Sequence, residues 1–235
     1  MMARKNIQRA LLVLIVVGLV LLATYRLWLP RVDALYLLWP LRAHVGAMTM
    51  ATPITLATST AQGKTYTLGA LTLAMPWHTQ ETVERGVDGY SSIRHFGTKG
   101  EQNYHAFILL KNPSLRNSLA QQDAELSRYF DKYLHTNAAT LKYLMHTTPK
   151  TISLVRSHDP FAQALLMKFK DTMILNGAPV FSFTTTQGVV GYLTHKNAST
   201  TLAEFFTADD QEYTLILVNA TEEEVASVLQ SVRTH

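Results

Sequence analysis

Residues 180–218 read VFSFTTTQGVVGYLTHKNASTTLAEFFTADDQEYTLILV and hold four short runs rich in β-branched and aromatic residues. The runs cover residues 180–186, 189–195, 202–207 and 213–218. Short turns join them, including one built on Gly188 and one on Asp209-Asp210. Runs of this length with such connections are typical of neighbouring antiparallel strands. The stretch therefore predicts a meander of strands late in the chain.

A hairpin is predicted on the N-terminal side of this meander. Residues 90–96 and 104–111 are β-rich, and a GTKG turn sequence lies between them. The second run is apolar at both odd and even positions, which indicates a strand that is covered on both faces. A further β-rich run covers residues 66–75 and ends at Pro76-Trp77.

Helices are predicted between and after these strands. An apolar stripe over residues 115–134 indicates one long amphipathic helix, and a short helix is predicted at 141–145. The Asp-Pro pair at 159–160 is typical of a helix start, and the Asn-Gly pair at 176–177 of a helix end. The last helix opens with the capping-box sequence TEEE at residues 221–224.

Together these elements predict an α+β domain over residues 65–235. Its sheet is expected to be mainly antiparallel, with about six to seven strands, and flanked by helices on two sides. One transmembrane helix is expected to precede this domain.

The order of the elements resembles a known fold family. A strand ending in LTLAMPW at 71–77, an early hairpin, central helices, a late meander and a closing helix EVASVLQSV at 224–232 are similar to the PsbP/Mog1-like α/β/α sandwich. The resemblance covers about residues 65–233. Proteins of that fold are generally binding or accessory subunits of larger assemblies and share no catalytic signature. The resemblance therefore implies a binding function and carries over no functional residues.

The most hydrophobic segment lies near the N-terminus. Residues 10–25 read ALLVLIVVGLVLLATY without a charge, and residues 27–29 continue the apolar stretch. Residues 10–29 approach the ~20 residues that cross a bilayer core. We therefore predict a transmembrane signal anchor at 10–29 that binds the lipid bilayer and follows a short basic tail at 1–9. A cleaved signal peptide and a buried core helix are the alternatives.

The segment from 30 to 64 is expected to be an interfacial segment followed by a linker. Residues 33–42 are apolar, but Pro40 interrupts them and they are too short to cross a membrane. They either lie in the membrane interface, with Tyr36 and Trp39 as anchors, or pack against the domain. Residues 47–66 are rich in Thr and Ala, which is typical of a linker.

The charge is distributed unevenly along the chain. Residues 1–42 contain six of the 21 Lys and Arg residues and one of the 17 Asp and Glu residues, which leaves 15 cations and 16 anions for the rest. The nearly neutral domain argues against a nucleic-acid partner, because binding to phosphates needs a basic surface. A short basic tail before a span usually stays in the cytoplasm. We therefore expect a single-pass protein of the inner membrane with its domain in the periplasm.

The sequence contains no complete catalytic or metal-binding motif. The absence of cysteine excludes disulfides and thiolate chemistry. His95 and His105 lie on the two strands of the predicted hairpin and face each other if the register is symmetric about residue 100. Two imidazoles without a carboxylate make an incomplete metal site. We expect no catalytic residue, no metal and no cofactor.

Aromatic and histidine side chains near the predicted strand ends suggest a groove. The candidate groove residues are Trp77, Tyr90, His95, Phe96, Tyr104 and His105. The preferred interpretation is a membrane-tethered extracytoplasmic binding or accessory domain that acts through protein contacts in an envelope complex. A membrane-anchored hydrolase and a small-ligand or lipid-binding domain are the alternatives.

Overall fold

The computed structural model describes residues 2–56, 63–77, 80–85, 90–97, 104–111, 114–174 and 177–234. The strands of this part of the chain are β1 (Thr52–Pro53), β2 (Lys64–Leu68), β3 (Leu71–Met75), β4 (Gln80–Arg85), β5 (Tyr90–Gly97), β6 (Tyr104–Lys111), β7 (Val180–Thr184), β8 (Val190–Asn197), β9 (Thr200–Phe206), β10 (Glu212–Val218) and β11 (Arg233–Thr234). Its α-helices are α1 (Met2–Leu41), α2 (Val45–Met48), α3 (Leu115–Ala120), α4 (Ala124–Tyr133), α5 (Asn137–His146), α6 (Pro160–Met173) and α7 (Glu222–Ser231).

Eight of these strands form one mixed sheet in the order β1-β7-β8-β9-β10-β6-β5-β4. Neighbouring strands pair antiparallel, except that β1 runs parallel to β7. The predicted α+β class, the late meander and the hairpin of β5 with β6 are confirmed. The smaller strands β11, β3 and β2 form a second sheet of three strands.

The large sheet is covered on both faces, because successive residues of a strand point to opposite sides. On β8, Tyr192 belongs to the core beneath α3, α4, α5 and α6, whereas its neighbour Leu193 belongs to the core beneath α7 and the small sheet. Phe130 fills the first core and Phe205 the second, and neither side chain is exposed. The expected flanking layers are therefore present on both faces.

The sheet is wider than predicted because its two edge strands carry weak sequence signals. Strand β4 reads QETVER, which lacks the alternation of a half-buried strand, and it pairs only with β5. Strand β1 has two residues, and the second is Pro53, a residue that sheets accept at their edges.

The predicted strand at 66–75 is in fact a hairpin of β2 and β3. Gly69 has φ +63°, a backbone conformation that glycine adopts readily, and the chain reverses there. Leu68 then pairs with Leu71, and Tyr66 with Leu73. This hairpin belongs to the small sheet, where the hydroxyl of Ser231 accepts a hydrogen bond from the backbone N–H of Ala74 at 2.8 Å.

The predicted long helix at 115–134 is divided into α3 and α4. Asp123 is the N-cap of α4, and its carboxylate accepts a hydrogen bond from the backbone N–H of Glu125 at 2.7 Å. This cap starts a new helix within the apolar stripe. Leu119 and Leu126 lie on either side of the break, and both are buried in the same core.

The other helix predictions are confirmed in the described residues. Helix α5 includes 141–145, α6 begins at Pro160 as its first residue, and Thr221 and Glu224 form a complete capping box at α7. Asn176, predicted as part of a helix end, lies outside the described residues, and the adjacent Gly177 has φ +62°.

Much of the segment between the predicted anchor and domain packs on α6. Ala34 and Leu38 of α1 have no exposed surface and belong to the core cluster that includes α6. The ring of His44 hydrogen-bonds to Asp171 at 2.7 Å, and the same carboxylate accepts from the backbone N–H of Ala47 at 3.0 Å. Packing against the domain, one of the two alternatives for residues 33–42, is observed for the face that carries Ala34, Leu38 and Leu41. The predicted domain start at residue 65 stays a prediction.

Candidate functional site

The structure brings two of the predicted groove residues into contact. The rings of Trp77 and His105 stack with their centroids 5.6 Å apart. The indole N–H of Trp77 donates to the carboxylate of Glu224 at 2.8 Å, which links β3 to the first turn of α7. Trp77 is therefore held between His105 of β6 and the first turn of α7.

Of the other groove residues, Phe96 and His95 have described side chains, and neither packs on this pair. Phe96 is fully buried and meets Tyr66 edge to face at 4.8 Å, in the core beneath α7. His95 precedes it on the strand, so its ring points to the opposite face, where it packs against Phe107. The side chains of Tyr90 and Tyr104 lie outside the described part of the chain.

The expected pairing of His95 with His105 is wrong. His95 lies opposite Phe107, and Phe96 lies opposite Ala106. An irregularity between Phe96 and Gly97 then shifts the register, so that Gly97 lies opposite Tyr104. Among the described residues, no group of three or more His, Asp or Glu side chains is placed to hold a metal ion.

The segment of α1 from Leu12 to Leu22 carries no polar side chain and is exposed along its whole length. Its large apolar side chains between Leu12 and Leu22 are 49–70% exposed. Exposed apolar surface of this extent is unusual for a soluble protein, because its contact with water is unfavourable. In a single chain these side chains are therefore not covered by the rest of the protein.

Helix α1 bends sharply before its second half. Within the described residues, no single helix is both long and apolar enough to cross a membrane, so the structure does not support the single span predicted at 10–29. The segments Leu12–Tyr25 and Leu27–Leu41 meet the criteria of length and composition together, with a bend of 73° between them. Pro30 explains the position of the bend, because its ring clashes with the carbonyl of Arg26 four residues earlier.

Two hydrogen bonds hold this bend. The indole N–H of Trp28 donates to the carbonyl of Leu21, seven residues earlier, at 3.1 Å. On the domain side, the guanidinium of Arg31 donates to the carbonyl of Leu154 at 3.0 Å. The bend is therefore tied to the segment that leads into α6.

A cavity of about 670 Å³, here called the junction cavity, lies between the bend and the start of α6. Its apolar side includes Leu27, Leu29 and Phe161. Its lining also contains charges of both signs, from Arg31, Asp33, Glu125, Arg156 and Asp159. The hydroxyl of Ser157 in this lining donates to Gln163 at 2.7 Å, so it is already engaged in the fold.

A second cavity of about 500 Å³, the sheet cavity, lies where the C-terminal part of α6 meets β8 and β9. Its apolar lining is formed by Met145, Met173, Ile174, Val180 and Leu202. Burial raises the pKa of Tyr192, which also lines this cavity, to about 12. The cavity is of the size that small apolar ligands occupy in proteins.

A partly buried group of three charges lies between the large sheet and α3. The ammonium of Lys111 lies 2.8 Å from Glu204 and 2.6 Å from Glu212, and Glu212 also accepts from the backbone N–H of Leu115 at 2.8 Å. Burial alone would lower the pKa of Lys111, but the two carboxylates outweigh it and raise that pKa above its ordinary value. The arrangement joins β6, β9 and β10 to the start of α3.

Lys170 is a buried cation that is hydrogen-bonded to a backbone carbonyl. Its side chain has no exposed surface, and its ammonium donates to the carbonyl of Thr147 at 2.6 Å. Thr147 is the C-cap of α5, where the helix dipole favours a positive charge. Burial lowers the pKa of Lys170 to about 8. The contact gives this lysine a structural role in joining α6 to α5.

Comparisons with protein-family models, with curated proteins and with solved structures find no match for this chain. The exposed helix, the bend and the two cavities are therefore the observations from which a function can be inferred.

Proposed function

We propose that this chain is a membrane-tethered, extracytoplasmic binding domain that acts through protein contacts in an envelope complex and has no catalytic centre. The supporting observation is the first half of α1, whose apolar side chains from Leu12 to Leu22 lie exposed on all sides. A helix satisfies its backbone groups internally, so lipid can surround such a segment at no cost in hydrogen bonds.

The exposed apolar segment and part of the domain core belong to the same helix, α1. Ala34, Leu38 and Leu41 of the same helix are at most 6% exposed and pack in the core with α6. A domain attached in this way meets partners in the same membrane at a high effective concentration, so a weak affinity suffices for binding. The basic tail that precedes the apolar segment favours a domain outside the cytoplasm.

Extraction of membranes tests the tether. The wild-type chain is expected to stay with membranes in high salt and in alkaline carbonate, because burial of apolar surface does not depend on charge screening. The double variant Val13→Arg/Val17→Arg is expected to be released, since an arginine near the centre of a span costs about 3 kcal/mol. Val83→Arg/Val190→Arg, at valines 41% and 52% exposed, is the matched control. Release of the wild-type chain by salt would contradict the tether.

The sheet cavity favours a second candidate function, the binding of a small apolar ligand. A fluorescent fatty-acid probe is expected to bind to the full chain in nanodiscs and to be displaced by unlabelled fatty acid. Met173→Trp fills the cavity and should abolish this binding, whereas Met50→Trp, at a residue outside the lining, should not. Equal binding by both folded variants would contradict the assignment of the site.

A further inference from the structure

The second half of α1 has two faces of different character. The face that carries Ala34, Leu38 and Leu41 is buried against the domain. The other face exposes Val32 (49%), Leu35 (42%), Tyr36 (82%) and Trp39 (68%). These four exposed residues are here called the interfacial stripe.

The interfacial stripe is continuous along one side of the helix. Positions 32, 35, 36 and 39 follow the spacing i, i+3, i+4, i+7, which places all four side chains in one row. The guanidinium of Arg42 lies 5.7 Å from the ring centre of Trp39 and adds a cation at the end of the row. Aromatic rings with polar tips beside a cation are typical of side chains at a membrane interface.

The bend of α1 directs this stripe toward the first half of the helix. Pro30, Ala34 and Leu38 share one stripe at i, i+4 spacing, so the proline lies on the domain face and opens the helix on that side. The domain face is therefore convex and the opposite face concave. The hydrogen bond from Trp28 to the carbonyl of Leu21 spans the concave side, where the bend shortens the distance.

The same geometry sets the angle of the stripe to a bilayer. When Leu12–Tyr25 stands along the membrane normal, the 73° bend puts Leu27–Leu41 at about 17° to the membrane plane. A tilt of the first segment by the ~20° that is usual for a spanning helix is large enough to bring the second segment parallel to the plane. The domain then lies above the second half and the interfacial stripe lies below it. At ~1.5 Å per residue the 16 apolar residues 10–25 extend roughly 24 Å, less than the ~30 Å hydrocarbon core. A second half that enters the membrane surface reduces this mismatch.

We propose that the interfacial stripe binds the bilayer surface and holds the domain in one fixed orientation. This inference rests on the proposed tether and adds a second membrane contact to it. The occupant of the stripe is the lipid interface, because the covalent link to the span and the direction of the bend bring that surface to it.

The absence of cysteine allows a direct measurement of depth. Single spin labels are introduced by Tyr36→Cys and Trp39→Cys in the full chain, reconstituted in nanodiscs of phosphatidylcholine and phosphatidylglycerol. Val16→Cys reports on the span, and Gln187→Cys, in the exposed turn between β7 and β8, reports on water. Collision with oxygen and with a water-soluble nickel chelate gives the depth of each label, and circular dichroism confirms that each variant is folded.

Labels at Tyr36→Cys and Trp39→Cys are expected at roughly 5–10 Å below the phosphate level. If both are as accessible to the chelate as the Gln187→Cys label while the Val16→Cys label is in lipid, the interfacial contact is wrong and the tether stands. If the Val16→Cys label is also in water, the tether itself is wrong. Exclusion of both oxygen and chelate at positions 36 and 39 would indicate a protein partner or a second copy and would likewise overturn the proposal.

Discussion

At the scale of single residues, Pro30 accounts for the bend of α1. It removes one backbone hydrogen bond of α1 and displaces the carbonyl of Arg26, and the helix bends by 73° at that point. The nearby Pro40 lies one residue before the end of the helix. Its effect on the course of α1 is correspondingly small.

Pro30→Ala is therefore expected to straighten α1. Spin labels at Val16→Cys and Tyr36→Cys should lie about 24 Å apart along the bent axis and about 30 Å apart along a straight one. Pulsed dipolar spectroscopy of the full chain in nanodiscs measures this difference, with Pro40→Ala as the control. An unchanged distance in Pro30→Ala would mean that packing against the domain, and not the proline, sets the bend.

The buried ammonium of Lys170 is expected to make the stability of the fold depend on pH. Its pKa is lowered from 10.5 to about 8 by burial, so between these values the unfolded chain binds more protons than the folded chain. The free energy of unfolding should therefore rise with pH across that window, by at most about 3 kcal/mol. Below pH 8 the folded state carries the cost of a buried cation.

Lys170→Met removes this titration and serves as the test. In urea titrations of the full chain in nonionic detergent, the wild type should gain stability relative to Lys170→Met from pH 8 to 10.5. Lys168→Met, at an exposed position of the same helix, is the control and should run parallel to the wild type. Parallel curves for Lys170→Met and the wild type would show that the ammonium is solvated in the folded protein.

At the scale of elements, α7 is a helix whose start and buried face are both predicted by its own sequence. The hydroxyl of Thr221 accepts from the backbone N–H of Glu224 at 3.2 Å, and the Glu224 carboxylate accepts from the backbone N–H of Thr221 at 2.8 Å. Both contacts follow from the residue types and their spacing alone. The burial of Leu229 follows equally from the apolar stripe, which the helix turns toward the second core.

Thr221→Ala is expected to lower the free energy of unfolding by about 1 kcal/mol through loss of the cap. Leu229→Ala, at a fully buried position, should lower it by about 2–5 kcal/mol. Glu223→Ala, at an exposed position, is the matched control. Urea titration of the full chain in nonionic detergent measures all three, and equal tolerance of the first two changes would mean that α7 is not docked.

Some features of the fold depend on contacts or caps that the hydrophobic pattern of the sequence does not indicate. Strand β4 is recognised only by its pairing with β5, because five of its six residues are polar or charged. The division of 115–134 depends on the cap at Asp123, which interrupts a stripe that continues on both sides. The register of β5 on β6 shifts at an irregularity between Phe96 and Gly97. The number of residues between the two strands does not determine that register.

The candidate groove was less predictable than the fold. Position along the chain places six aromatic and histidine residues near strand ends, but adjacent strand residues such as His95 and Phe96 point to opposite faces. Tyr36 and Trp39 could be recognised from sequence as interfacial residues. The bend that directs them, and the docking of their helix on α6, required the structure.

At the scale of the whole molecule, the docked part of α1 belongs to the folded unit. A chain that begins at Arg31 keeps the buried residues Ala34, Leu38 and Leu41, and it should unfold cooperatively. A chain that begins at Gly63 loses them together with Ala47 and Leu56, which are also buried. Since each buried leucine contributes about 2–5 kcal/mol, the shorter chain should be strongly destabilised or unfolded.

Thermal unfolding of the two truncated chains, followed by circular dichroism, measures this difference. Equal and cooperative transitions would show that residues 31–62 only join the anchor to an independent domain. A cooperative transition in the longer chain alone would show that anchor and domain share one core, so that the domain cannot turn freely on its tether.

The location of the domain is tested most directly by labelling a single cysteine in spheroplasts of bacterial cells that produce Gln187→Cys. The cysteine lies in an exposed turn and has no competitor in the chain. A membrane-impermeant maleimide added to intact spheroplasts is expected to label it, and the labelled chain should sediment with salt-washed membranes. Labelling only after the spheroplasts are lysed, or recovery of the labelled chain in the soluble fraction, would contradict a domain tethered outside the cytoplasm.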